Sequence, residues 1–318
     1  MKKLLLCFSL VIAAATSFHL VSNQYRYEFY DWAIGFEASQ AELESKTSSY
    51  KLEQGQQDFA YLESPKRADQ ESIIMLHGFS ATKEHWLRFS SHLYKQYHII
   101  ALDLLGHGEN KQDFSQSYSV ESQVEYIRQV ALKLGVDKFH LVGNSMGGAI
   151  SSLYAATHPQ QVLSATLISP AGVHDIPSKM DELLKEGINP LVTIKEEDFD
   201  DVMEFVMEAP PFIPAAITRV EAERAASRTK INQLIFEDLH ADMEKGLEEN
   251  LKQIQAPVLI IWGDHDRAIN VANIDKYAAL IPNAQKLVLT DIGHLAMIEV
   301  PKVSAQAMID FLQAKKSS

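Results

Sequence analysis

The sequence predicts a doubly wound α/β fold, with a mostly parallel sheet and a helical insertion capping the sheet's C-terminal edge. Three observations predict it. Short apolar runs closed by turn residues recur along the chain, and amphipathic segments of helical length lie between them. The alternation is then interrupted by one acidic, proline-punctuated stretch. An apolar run without polar alternation suits a strand buried on both faces, as in a parallel sheet. Strands alternating with helices along the chain build such a sheet from crossover units.

At the N-terminus, Met1-Lys2-Lys3 precedes the apolar run LLLCFSLVIAAATSFHLV. A basic start and a run of about 18 apolar residues are the pattern of an export signal or a membrane anchor. Ala13-Ala14-Ala15 offers a small-x-small cleavage site, and the reading favours an uncleaved anchor over residues 1–22. The extension over 23–55 opens with YRYEFYDWAIGFEASQAELE, whose Tyr and Trp residues suit a membrane interface or packing on the following domain.

From residue 56 the strand candidates are SIIMLHG, HIIALDLLG, FHLVGNS, ATLISPAG, VLIIWGD and KLVLTDIG. VESQVEYIRQVALKLG and GGAISSLYAATHP read as helices between them. The core is therefore expected over 56–172 and 254–318. Between them, 173–253 reads as a cap of several helices, broken where Pro210, Pro211 and Pro214 interrupt EFVMEAPPFIPAAI.

Composition narrows the function. The 318 residues carry a net charge of −13 and no basic stripe, so a nucleic-acid partner is not expected. The single cysteine, Cys7, lies in the N-terminal run, which leaves the remaining chain no internal disulfide and no Cys-ligated metal site.

The chemistry gathers at the predicted strand ends. Ser145 stands in LVGNSMGG, where a buried strand meets a helix opening with Gly147-Gly148. A serine on so sharp a turn projects its hydroxyl at the sheet edge, and Gly143 and Gly147 supply the small flanks that the turn needs. A serine hydroxyl requires a base to become a nucleophile. Of the 12 histidines, His294 in DIGHLAMIE follows a strand and falls where sites collect in open α/β sheets. The carboxylate that would orient it lies in the loop after VLIIW, which offers Asp264 and Asp266; spacing alone does not choose. The order Ser, Asp, His recurs in a large hydrolase group. Backbone N–H groups of Phe79, in MLHGFSA, and of Met146 are the candidate donors to a developing oxyanion, with His77 bracing the loop. Phe205, Val206, Met207, Phe212, Ile213 and Ile217 of the cap are candidates for an apolar acyl entrance.

HGFSATKEHW, DLLGHG, HLVGNSMGG, SPAG, IIWGDHD and GHLAMIE, in this order, make the chain resemble the α/β-hydrolases over roughly 56–315. More closely it resembles the monoacylglycerol lipase-like serine hydrolases with an N-terminal anchor and a helical cap. That resemblance implies a triad of Ser145, Asp266 and His294, with Asp266 matching the W-G-x-x-D pattern, and oxyanion donors at Phe79 and Met146. It implies hydrolysis of a carboxylic ester or acylglycerol through an acyl-enzyme, without metal or organic cofactor. A carbon–carbon hydrolase of ring-cleavage products also uses GNSMGG, but such enzymes commonly place a tryptophan soon after the histidine, where Leu295, Ala296 and Met297 stand here. A binding protein on this fold usually lacks a triad member, and every position is filled.

Overall fold

The computed structural model describes residues 24–53 and 55–316. The anchor or signal expected over 1–22, Cys7 included, lies outside them. An eight-stranded sheet runs in the order β1-β2-β4-β3-β5-β6-β7-β8. Its strands are β1 Glu44–Lys51, β2 Gln56–Glu63, β3 Ser72–Leu76, β4 His98–Leu102, β5 Phe139–Asn144, β6 Val162–Ile168, β7 Val258–Gly263 and β8 Ala284–Leu289. Among the described residues β1 pairs antiparallel with β2 and β2 with β4, while β4, β3, β5, β6, β7 and β8 form a parallel array.

The buried runs become central strands: β3, β4, β5 and β7 are buried at every position. Ile73, Ile74, Met75 and Leu76 send alternate side chains into two apolar cores, one on each sheet face. The strand expected at KLVLT is the edge strand β8, only half-buried, with Val288 facing solvent. Strand β1 falls within the extension expected over 23–55, and β2 follows it at the start of the expected core.

Helices complete the layers: α1 over 24–39, α2 Leu87–Ser90, α3 Val120–Lys133, α4 Met146–Thr157, α5 Lys179–Lys185, α6 Asp198–Val206 and α7 Ala215–Ser227. They continue as α8 Thr229–Lys245, α9 Glu248–Leu251, α10 Asn273–Leu280, α11 Ala296–Glu299 and α12 Pro301–Lys316. Pro210, Pro211 and Pro214 lie in the non-helical link between α6 and α7. Among the described residues no helix is long and apolar enough to cross a membrane.

The chain passes from β3 to β4 on one side, then returns to lay β5 on the other side of β3. Such a reversal opens a crevice at the strands' C-terminal ends. The loops after β3 and β5 meet there.

Candidate active site

Ser145 joins β5 to α4 with φ 54° and ψ −117°, a left-handed backbone that a serine adopts only under constraint. Three backbone hydrogen bonds impose it. Its N–H donates to Ile168 O at 3.0 Å, and its carbonyl accepts from Ala149 at 3.0 Å and Ala171 at 3.1 Å. A Cβ on Gly143 would stand 2.1 Å from Gly147 O, and one on Gly147 would stand 2.2 Å from Leu76 O. Neither position admits a side chain, so the glycines are a packing requirement of the turn.

His294 is buried beside Asp266, its Nδ1–H donating to Asp266 Oδ2 at 2.7 Å. The Asp266 carboxylate also accepts from Trp262 Nε1 at 2.9 Å and from the Ala268 and Ile269 N–H groups, each at 2.9 Å. Every partner is a donor, and together they fix the plane of the carboxylate. Asp264 instead pairs with the exposed His265 at 2.8 Å. The geometry therefore joins His294 to Asp266 and not to Asp264. With Nδ1 committed, His294 has Nε2 left to act as a base. Both His294 and Ser145 line one cavity of about 460 Å³; among the described residues no hydrogen bond yet joins them.

The histidine loop has a support that sequence reasoning missed. Glu299 accepts from Gly293 N–H through both oxygens at 3.1 Å, and from Glu208 and Ala209 N–H at 2.8 and 2.7 Å. His294 N–H donates to Val206 O at 2.8 Å, and Asn144 Nδ2 donates to His294 O at 3.1 Å. Cap and core are thus tied to the same loop. The only sequence signal was an acid placed soon after the histidine within GHLAMIE.

Across the crevice, Met146 opens α4, where its N–H has no acceptor in the preceding turn. The Phe79 N–H has no partner among the described residues. His77 Nδ1–H donates to Gly78 O at 2.7 Å while its Nε2 accepts from Leu104 N–H at 3.0 Å. His107 donates to Leu105 O at 3.0 Å and accepts from Ser80 N–H at 3.2 Å. Burial lowers both imidazoles, His77 far below its ordinary value and His107 to about 4. Each therefore stays neutral and keeps the lone pair that holds the loop. Beneath it the buried Lys83 ammonium meets Asp103 at 2.9 Å, Glu84 at 2.9 Å and Glu109 at 3.0 Å. Burial alone would lower Lys83, but the carboxylates outweigh it and keep the ammonium charged.

The cavity wall partly matches expectation. Met207, Ile213 and Ile217 line it, as does Val206. Phe205 does not; it packs against the apolar cores on both sheet faces. Nor does Phe212, which is 85% exposed in the proline-containing link between α6 and α7. Sequence reasoning missed Leu191, Phe199 and Met203 of the cap, and Ala33 and Ile34 of α1. Helix α1 reaches the cavity because its polar side is bolted to α7. Tyr30 donates to Glu221 and accepts from Arg224 at 2.7 Å, and Arg26 meets Glu223 at 2.7 Å.

A family model described as alpha/beta hydrolase fold matches residues 71–208 and 192–301. The chain belongs to the α/β-hydrolase family. This hydrolase is 33% identical over 287 residues to monoacylglycerol lipase abhd6-B of Xenopus laevis, covering 87% of this chain and 84% of that one. It is 33% identical over 269 residues to lipase 1 of Psychrobacter immobilis, covering 84% and 83%. Among solved structures, a membrane phospholipase A is 36% identical with a TM-score of 0.88 over 100% of both chains. The hydrolase is an enzyme of the carboxylic-ester class.

Proposed function

We propose that this hydrolase cleaves acylglycerols or related carboxylic esters through a covalent acyl-enzyme on Ser145. The Nδ1 contact of 2.7 Å between His294 and the fully satisfied Asp266 carboxylate carries the reading. It fixes the tautomer whose Nε2 takes the Ser145 proton as Oγ attacks the ester carbon. The carbonyl π electrons move onto oxygen, and the Phe79 and Met146 N–H groups receive that negative charge. Collapse expels the alcohol, which leaves with the proton from His294. Water, deprotonated by the same imidazole, then attacks the acyl carbon and releases the acid and free Ser145.

Met203, Met207, Ile213 and Ile217 beside Ser145 support an acyl chain lying against the cap. The lipases and monoacylglycerol lipase among its relatives support the same substrate class. The N-terminal segment 1–22 would hold the enzyme at a membrane with its catalytic domain outside the cytoplasm. Protease shaving of intact cells tests that placement; full protection of the catalytic domain contradicts it.

Hydrolysis of an acyl-chain ester series, run beside a ring-cleavage-product analogue, tests the reaction. Ester turnover should peak at one chain length and vanish in Ser145→Ala while the melting temperature holds. Preference for the carbon–carbon substrate, or ester turnover surviving in Ser145→Ala, would overturn the reading.

A further inference from the structure

We infer that Asn232, on cap helix α8, is a positioning residue for the oxyanion loop, so that α8 supports turnover as well as closing the pocket. This rests on the reading of Phe79 N–H as an oxyanion donor.

Two unfavourable features meet in one hydrogen bond. Ser80 holds the third position of a turn closed by Ala81 N–H to Gly78 O at 3.3 Å, with φ 57°. Glycine would occupy a left-handed position without steric cost. Asn232 is 1% exposed, and its Oδ1 has no hydrogen-bond partner, an arrangement that costs stability. What the pair achieves is the bond from Asn232 Nδ2 to Ser80 Oγ at 2.9 Å. Ser80 is thereby gripped at its hydroxyl by the cap and at its N–H by His107. Next to it, the Phe79 ring lies edge-on to Phe236 of α8, centroids 5.5 Å apart, and to His107 at 6.2 Å.

Helix α8 is a firm base for this grip. Ile231 and Ile235 are fully buried in the core. Asp238 and Asp242 accept from Tyr118 and Val120 N–H at 2.6 and 2.7 Å, at the start of α3. A donor set in advance stabilises the oxyanion without reorganising, and the oxyanion exists only beyond the ground state. Losing the grip should therefore lower kcat and leave KM in place.

The test uses the full-length enzyme and a short-chain p-nitrophenyl ester, comparing wild type, Asn232→Leu, Ser80→Gly and the double variant, with Ser145→Ala alongside. Ser80→Gly removes the hydroxyl from the other side and relieves the strained backbone, so it should fold even if Asn232→Leu does not. The expected result is a fall in kcat on the order of 10- to 100-fold in each single variant. KM should stay within about twofold, the melting temperature should not fall, and the double variant should be no worse than either single one. Unchanged kcat, a loss carried by KM, or losses that multiply in the double variant would overturn the inference. Turnover surviving in Ser145→Ala would instead overturn the catalytic reading, whatever Asn232 does.

Discussion

At the scale of single residues, the site works by saturating its carboxylates with donors. Asp266 receives His294 Nδ1–H, Trp262 Nε1–H and two backbone N–H groups. Asn in its place must turn an NH₂ toward one of those donors. Asp266→Asn should therefore lower kcat by about 10³- to 10⁴-fold and cost about 1–3 kcal/mol of stability. Chevron analysis and steady-state kinetics read the two effects; near-wild-type kcat would contradict this role for Asp266. Glu299 obeys the same logic, with backbone N–H donors from Glu208, Ala209 and Gly293. Chain order and motif placement single out Ser145 and His294 in the sequence, while spacing leaves Asp264 and Asp266 open and only the W-G-x-x-D resemblance favours Asp266. The sequence did not carry Glu299, whose contacts to Glu208 and Ala209 span 91 and 90 residues, or Asn232, whose partner Ser80 lies 152 residues away; these pairs meet only after folding.

At the scale of elements, the decisive unit is the β5–turn–α4 junction. A methyl on Gly147 would meet the Leu76 carbonyl at 2.2 Å, and backbone cannot yield as a flexible side chain can. Gly147→Ala should cost about 3 kcal/mol or more, or yield insoluble protein. A melting temperature within about two degrees of wild type would contradict the close packing of β3 on α4. Central strands were legible because burial on both faces leaves an unbroken apolar run. β1 was not, because ESKTSSYK pairs along an edge with its side chains mostly exposed or half-buried. Helix α1 was legible as an aromatic, charged stretch, but not as a wall of the cavity. Its place there depends on Tyr30 and Arg26 finding acids on α7, almost two hundred residues away.

For the whole molecule, desolvated histidines set the acid limit of stability. Burial holds His77 and His107 neutral, and desolvation does the same for the half-buried His85 on the cavity wall, with His85 and His107 lowered to about 4. In the unfolded chain each titrates near 6.5. Below that pH the unfolded state takes up protons that the native state refuses, so stability falls as pH drops from about 6.5 towards 4. The melting temperature should decline through this window. His85→Leu should flatten the decline, since His85 Nδ1 has no hydrogen-bond partner to strand. A flat profile in wild type, or the same slope in both proteins, would contradict this account.

The central claim is that Ser145 is an activated nucleophile served by His294. Fluorophosphonate labelling of the intact enzyme, with the labelled peptide mapped by mass spectrometry, tests it most directly. The account predicts stoichiometric label on Ser145, none in Ser145→Ala, and labelling slowed by orders of magnitude in His294→Ala. Label on another residue, or an enzyme that turns over esters while Ser145 stays unlabelled, would contradict it.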